Sequence, residues 1–231
     1  MRNRPAFNMS VVPQCVKDAA QTSTFRIQCK DDGPTTELLI MDDIGSDWVG
    51  EGSTAQGVQS FLAANRHRPI DMKVNSLGGS FYDGLSMFNS LLDHPKEVTA
   101  TITGIAFSAA TLPVMAADKV IMPEASDFGI HRAWVLTMGN ATELEDAVDW
   151  LKSVDDHAAL LYQSKTGATL EQVNAWMDGK SDGTKFTAKE ALAAGFCDEV
   201  IPIKEEKPAT AHMARAAALI QQKRIAARLG R

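Results

Sequence analysis

The sequence predicts an α/β layered domain whose strands pair in parallel through right-handed crossovers. Two observations carry this. Short apolar runs alternate along the chain with helical stripes, and several runs end in glycine-bearing turns that lead directly into a helix. The chain has 231 residues, 45% of them hydrophobic and 23% charged. That is enough apolar content to bury one large core and too much for a disordered chain or a small disulfide scaffold.

The elements follow in order. Residues 1–22 are polar and lack periodicity, which predicts a loose N-terminal arm before a domain spanning 23–203. Thr24–Gln28 and Glu37–Met41, split by the polar Lys30–Pro34, read as a hairpin or two adjacent strands. Ser53-x-x-Gln56 has the capping-box pattern, and Val58, Phe61 and Leu62 then recur at helical spacing. Asp71–Val74 is a short strand running into Asn75-Ser-Leu-Gly-Gly79, and Leu85, Phe88, Leu91 and Leu92 mark the next helix. The unit repeats as strand Val98–Ile102, a turn at Gly104, and a helix through Leu112 and Met115 that Pro113 should bend or shorten. Lys119–Met122 and Gly129–Trp134 are further extended pieces. Asn140-x-x-Glu143 caps a long helix with the stripe Leu144, Ala147, Val148, Leu151, Val154, Ala158 and Leu161, which Gly167 closes. Helices at Leu170–Met177 and Ala188–Ala194 precede a last strand, Val200–Ile203. Residues 204–231 read as a linker and an outlying Ala-rich basic helix.

Charge narrows the function classes. The net charge of −6 is uneven: Pro208–Arg231 holds five basic residues and no acidic one, leaving −11 on residues 1–207. Such a body is not expected to bind nucleic acid. The tail reads as a solvated helix or, more sharply, as a segment that contacts capsid or scaffold protein or is trimmed by the enzyme itself. Cys15, Cys29 and Cys197 are isolated, which predicts reduced thiols in a cytoplasmic protein and no structural zinc. Residues 98–117 are uncharged and long enough for a membrane span. Their threonines, Gly104, Ser108 and Pro113 fit a buried strand, turn and helix instead. No membrane partner, metal or cofactor is expected, since there is no HExxH and no clustered ligand set.

Two strand-to-helix turns could carry chemistry. Gly78-Gly79 permits positive φ and close approach of a ligand to the backbone, with N–H groups at the following helix start available to an anion or oxyanion; a tight turn needs the same glycines. Ser108, in Gly104-Ile-Ala-Phe-Ser108-Ala-Ala, is either an N-cap or a nucleophile with the Ala109 N–H as an oxyanion donor. His131 follows Asp127-Phe-Gly-Ile between apolar neighbours, as a core histidine or a base. His67, His94, His157 and His212 all stand in polar contexts.

The ordered set resembles the Clp-type serine peptidases of the crotonase-like fold, most nearly the phage Clp-like head-maturation (prohead) proteases. Its pieces are Asp42-Asp-Ile-Gly45, Asn75-Ser-Leu-Gly-Gly79, Ser108-Ala-Ala-Thr-Leu-Pro-Val-Met-Ala-Ala-Asp-Lys-Val120, Met122-Pro, Ile130-His131-Arg-Ala-Trp134 and Phe186-Thr-Ala-Lys-Glu-Ala-Leu-Ala-Ala-Gly195-Phe-Cys-Asp198, covering about residues 24–203. The resemblance implies repeated β-β-α units with layered parallel sheets and an outlying helix. It implies Ser108 as nucleophile, His131 as general base, and the N–H groups of Gly79 and Ala109 as the oxyanion hole. Polypeptide substrates would bind as an added strand. Homo-oligomeric rings, often stacked in pairs, are implied too, with the Thr142–Ser164 helix between layers.

The family's aspartate falls, by counting back from Phe186, at Gly183 or Thr184; adjacent Asp182 is the expected third triad member and Asp178 the reserve. Leu77 stands where cellular members have proline; the N-terminal arm does not resemble the loops that dock an ATP-driven unfoldase, which weakens the case for an ATPase partner. Two alternatives stay open: a crotonase-like acyl-CoA enzyme, which needs a Glu or Asp base, and a catalytically silent ring-forming assembly protein.

Overall fold

The computed structural model of the protein describes residues 35–45, 52–180 and 182–203. The expected N-terminal arm, the Thr24–Gln28 strand and the basic C-terminal helix lie outside the described residues. The chain divides into two units, 1–201 and 202–231, and the fold below is that of the first.

Strands β1 (Thr36–Ile40), β2 (Ile70–Ser76), β3 (Val98–Phe107), β4 (Lys119–Pro123) and β7 (Glu199–Ile201) lie in the order β1-β2-β3-β4-β7, every neighbour parallel. Their period-2 patterns point Leu38, Ile40, Met72, Val74, Ala100 and Ile102 into the core, all completely buried. Two more strands extend the far end. β5 (Asp127–Ile130) runs parallel to the second half of β3, and β6 (Thr184–Thr187) pairs antiparallel with β5. β6 escapes the sequence reading because only Phe186 of its four residues is buried.

β3 is longer than expected, and Gly104 lies inside it rather than in a turn. β3 is bulged here: Thr103, Gly104 and Ile105 lie between the partners of Val74 and Ser76, where β2 has Asn75 alone. Asn75 turns its side chain across β3, accepting from the Ile105 N–H at 3.2 Å, and a Cβ at Gly104 would collide with that amide. The missing side chain therefore makes room for a neighbour while the strand continues. The extension matters because it separates the partners of β3. Thr99–Thr101 pair with β4, while Ile105–Phe107 pair with β5.

Helix α1 (Ala55–Ala64) is capped by Thr54, whose hydroxyl accepts from the Gly57 N–H at 3.1 Å. Ser53, the expected cap, is instead drawn into the backbone beside Ile44: its N–H donates to Asp43 and its carbonyl accepts from Gly45. Helix α2 (Phe81–Leu92) starts from Ser80. After β3 a single 3-10 turn, Ser108–Ala110, leads into the short helix α3 (Thr111–Met115), consistent with Pro113 limiting its length. Helix α4 (Ala141–Thr166) has both halves of the Asn140/Glu143 capping box and ends at Gly167 in the left-handed region. Helices α5 (Leu170–Asp178) and α6 (Ala188–Ala194) complete the set, α6 again with a capping box, between Thr187 and Glu190.

An aromatic cluster ties these late elements to the sheet. Phe128 of β5 stacks on Phe196 at 4.7 Å, and Tyr162 of α4, Trp176 of α5 and Phe186 of β6 all meet Phe196 within 6 Å. Such rings bury large apolar areas, so one residue of a loop anchors two helices and two strands.

Cys197 is buried beside this cluster, and its thiol lies 3.7 Å from the Ala188 carbonyl. Burial, aided by Asp198, pushes the thiol up to about 11. The folded state thus holds a neutral thiol where the unfolded chain begins to ionise it, so this group stabilises the fold below about pH 9 and the contribution is lost as pH rises toward 11. Peptide mass spectrometry after iodoacetamide at pH 8 is expected to find Cys197 unmodified in the native protein and modified in urea. Rapid native modification would contradict the burial.

Candidate active site

Ser108 closes β3 and has φ +56, the one non-glycine residue with positive φ among those described. Serine disfavours this conformation, so surrounding structure must hold it. Gly78 is the first part of the clamp. With φ +103 it packs so closely that a Cβ would lie 2.6 Å from the Ser108 Cβ and 2.9 Å from the Ala109 nitrogen. Gly79 serves another neighbour: the Ile44 N–H donates to the Gly78 carbonyl at 2.7 Å, and the Ser80 N–H donates to the Ile44 carbonyl at 2.8 Å. This bridge does not engage the N–H of Gly79 itself. Ala109 is the second residue of the 3-10 turn, where the first N–H groups have no acceptor within the turn. The two expected oxyanion donors thus stand on the two backbone segments that meet at Gly78 and Ser108.

The second part of the clamp is Thr111 at the start of α3, backed by Tyr162 of α4. The Thr111 hydroxyl donates to the Ser108 carbonyl at 2.6 Å and lies 2.7 Å from the Tyr162 hydroxyl. Burial pushes the Tyr162 phenol up to about 12, so it remains a neutral partner for Thr111 through the physiological range. Sequence reading missed this pair. The available signal was a tyrosine on the otherwise aliphatic inner stripe of the long helix.

His131 lies immediately beyond β5. The β3–β5 register pairs Phe107 with Gly129, so Ser108 and His131 emerge at adjoining strand ends, where paired backbones are about 4.8 Å apart. The imidazole stacks on the Phe107 ring, centroids 4.9 Å apart and planes 8° from parallel. The opposite register position must be glycine, since a Cβ at Gly129 would strike the Phe107 ring. Lys185 of β6 places its ammonium 5.6 Å from the centre of the same ring. Ser108 and His131 make no direct hydrogen bond here; such contacts commonly tighten only when substrate is bound.

The carboxylates near this segment differ in their surroundings. Gly183 (φ +76) packs its backbone against Ile130 and His131, and Thr184 donates its hydroxyl to the Trp176 carbonyl at 2.7 Å. The two positions reached by counting back from Phe186 therefore offer His131 no carboxylate. Asp182 is exposed on the adjoining turn. Asp178, the reserve, is occupied by the Arg132 guanidinium, whose Nε donates to it at 2.8 Å and holds its carboxyl below the ordinary range. Asp155 of α4, which sequence reading did not single out, accepts from the Ala133 N–H at 2.7 Å and lies 3.7 Å from Arg132 Nη1. No His/Cys/Asp/Glu group able to hold a metal ion occurs among the described residues, and no described helix is long and apolar enough to cross a membrane.

Comparison with known proteins places the chain in a family. A family model described as Clp protease matches residues 49–204. The chain is 30% identical over 162 residues to ATP-dependent Clp protease proteolytic subunit 1 of Leifsonia xyli subsp. xyli, covering 68% of this chain and 80% of that protein. It is 27% identical over 137 residues to an ATP-dependent Clp protease proteolytic subunit of Bacteroides fragilis, spanning 58% of this chain and 64% of the relative. Among solved structures, an asparagine-to-aspartate mutant of ClpP1 from Listeria monocytogenes superposes with a TM-score of 0.61 at 21% identity, over 73% of this chain and 92% of that one. At that identity the likeness speaks to the fold.

The Thr111–Tyr162 pair gives a test of the clamp. Thr111→Val removes the donor to Ser108 and leaves a buried phenol unpaired, so it should destabilise the protein by about 1–3 kcal/mol in urea unfolding. Tyr162→Phe keeps the bond to Ser108 and should cost about 0.5–1.5 kcal/mol. The reverse ranking would show that the bond to Ser108 is not the one that matters.

Proposed function

Because the chain belongs to the Clp protease family and is a serine-type peptidase, we propose that it cleaves internal peptide bonds through an acyl-enzyme on Ser108. The observation that carries this reading is the positive-φ serine at the β3 end, clamped by Gly78 and followed at the adjoining strand end by His131. Strain of this kind exposes a side-chain oxygen at a sharp strand-to-helix turn.

The chemistry then runs in two halves. His131 takes the proton from Ser108 Oγ as that oxygen bonds to the scissile carbonyl carbon. The carbonyl oxygen becomes an oxyanion facing the N–H groups of Gly79 and Ala109, donors fixed in place before reaction. Collapse breaks the C–N bond, and the imidazolium gives its proton to the departing amine. Water, deprotonated by His131, then hydrolyses the ester and frees Ser108. Asp182 is the sequence's candidate for orienting His131.

The substrate is an extended polypeptide. It would add as a strand beside the Gly79 turn and the segment after His131, which has no regular partner and exposes Trp134, Leu136 and Met138 at 75%, 74% and 96%. The same reading includes a homo-oligomeric ring or stacked rings, in line with the family's assembly, with α4 between layers. It includes cytoplasmic action on capsid or scaffold protein during phage head maturation; that finer assignment rests on the resemblance of the motifs. An acyl-CoA reaction is disfavoured by the family match, and a silent assembly protein would leave the strain at Ser108 without a use.

Treatment of the purified protein with a fluorophosphonate is expected to give one adduct, at Ser108, lost in Ser108→Ala, as read by peptide mass spectrometry. His131→Ala should slow labelling about 10²–10⁴-fold. A folded oligomer that forms no adduct would overturn the nucleophile assignment.

A further inference from the structure

Three carboxylates surround the peptide that carries His131, and their environments differ. Asp182 is exposed. Asp178 is 60% exposed and bound to Arg132. The Asp155 side chain is 16% exposed, on the body-facing side of α4, with one oxygen taken by the Ala133 N–H and the other facing Arg132.

We infer that Asp155 is the positioning residue for His131, holding the Arg132–Ala133 peptide in place and supplying the negative charge that steadies the imidazolium formed when Ser108 gives up its proton. The inference rests on the Ser108–His131 reading above and deepens it. In a serine peptidase the third residue fixes the orientation of the imidazole and stabilises its charged form. Here the two duties are met from different directions. The ring plane is set by stacking on Phe107. The backbone that carries the ring is pinned two residues on, by the hydrogen bond from Ala133 to Asp155. Burial raises the Asp155 carboxyl above its ordinary range, and the Ala133 N–H, the Arg132 guanidinium and His131 itself act in the opposite direction. His131 is thus among the charges that Asp155 senses.

The other groups around His131 do not duplicate this. Arg132, its neighbour on the same segment, opposes an imidazolium and is balanced by Asp155 and Asp178. From β6, Lys185 adds a second positive charge across Phe107. Asp156 and His157 of α4 are exposed, as is Asp182 on the turn before β6, so water screens them more than it screens Asp155. Tyr162, deeper on the same helix, is neutral. Asp155 is the one half-buried carboxylate facing this segment among the described residues.

The test is the rate of fluorophosphonate labelling of the full-length protein at Ser108, followed from pH 5 to 9. Asp155→Asn keeps an oxygen for the Ala133 N–H and removes the charge. Its acid limb is expected to move to lower pH by about 0.5–1 unit, with the plateau rate reduced about tenfold. Arg132→Gln should move the limb in the opposite direction, a pairing of signs that general damage to the fold does not produce. Asp182→Asn should leave the limb in place. Labelling with coincident limbs in wild type and Asp155→Asn, or a shift found in Asp182→Asn instead, overturns the assignment of Asp155 while leaving Ser108 intact. A wild-type protein that is not labelled overturns the Ser108 reading and this inference with it.

Discussion

The conformation of Ser108 is the constraint on which the site depends. A non-glycine residue at positive φ costs on the order of 1–3 kcal/mol, and it persists only where its surroundings over-determine it. Three independent elements do so. β3 runs on to Phe107 and delivers the serine at a strand end. Gly78 closes on it from the β2 turn, where any side chain would collide. Thr111 and Tyr162 tie its carbonyl to the long helix. The extension of β3 past Gly104, through the bulge opposite Asn75, carries its last residues alongside β5.

Helix α4 links the two halves of the site. Through Tyr162 it reaches the serine elbow, and through Asp155, two turns earlier, it reaches the segment after His131. A single rigid element with good caps at both ends thus sets the relative position of groups on β3 and β5. Its N-terminal half is exposed, including Leu144, Val148 and Trp150. The helix both supports the site and presents apolar surface away from it, so any contact made by that surface would be felt at both ends of the Ser108–His131 pair.

Much of this was legible in the residues. The α4 and α6 capping boxes, the closing Gly167 and Gly195, and the parallel core strands follow from local patterns whose physics is contained within a few residues. The serine elbow and the histidine were each ambiguous locally, as cap or nucleophile and as core residue or base, and only the order of the motifs singled them out. Misreadings came where a distant partner overrode the local signal. Gly104 looked like a turn because its role is to admit Asn75. Ser53 looked like a cap until the strand beside Ile44 claimed its backbone. β6 was invisible because one buried phenylalanine does not make a periodicity.

Alternation, capping and turn chemistry are short-range effects, and they determined the α/β class, the order of its elements and the identity of Ser108 and His131 as candidates. The environment of each carboxylate near His131 is a long-range matter. Asp155, Asp178 and Asp182 are equivalent as letters, and counting back from Phe186 landed on Gly183 or Thr184, beside Asp182, with Asp178 only in reserve. Only the packing of α4 and α5 against the end of β5 separates them, exposing Asp182, giving Asp178 to Arg132 and half-burying Asp155 against Ala133. Burial and charge are properties of the assembled neighbourhood, and no spacing along the chain encodes them.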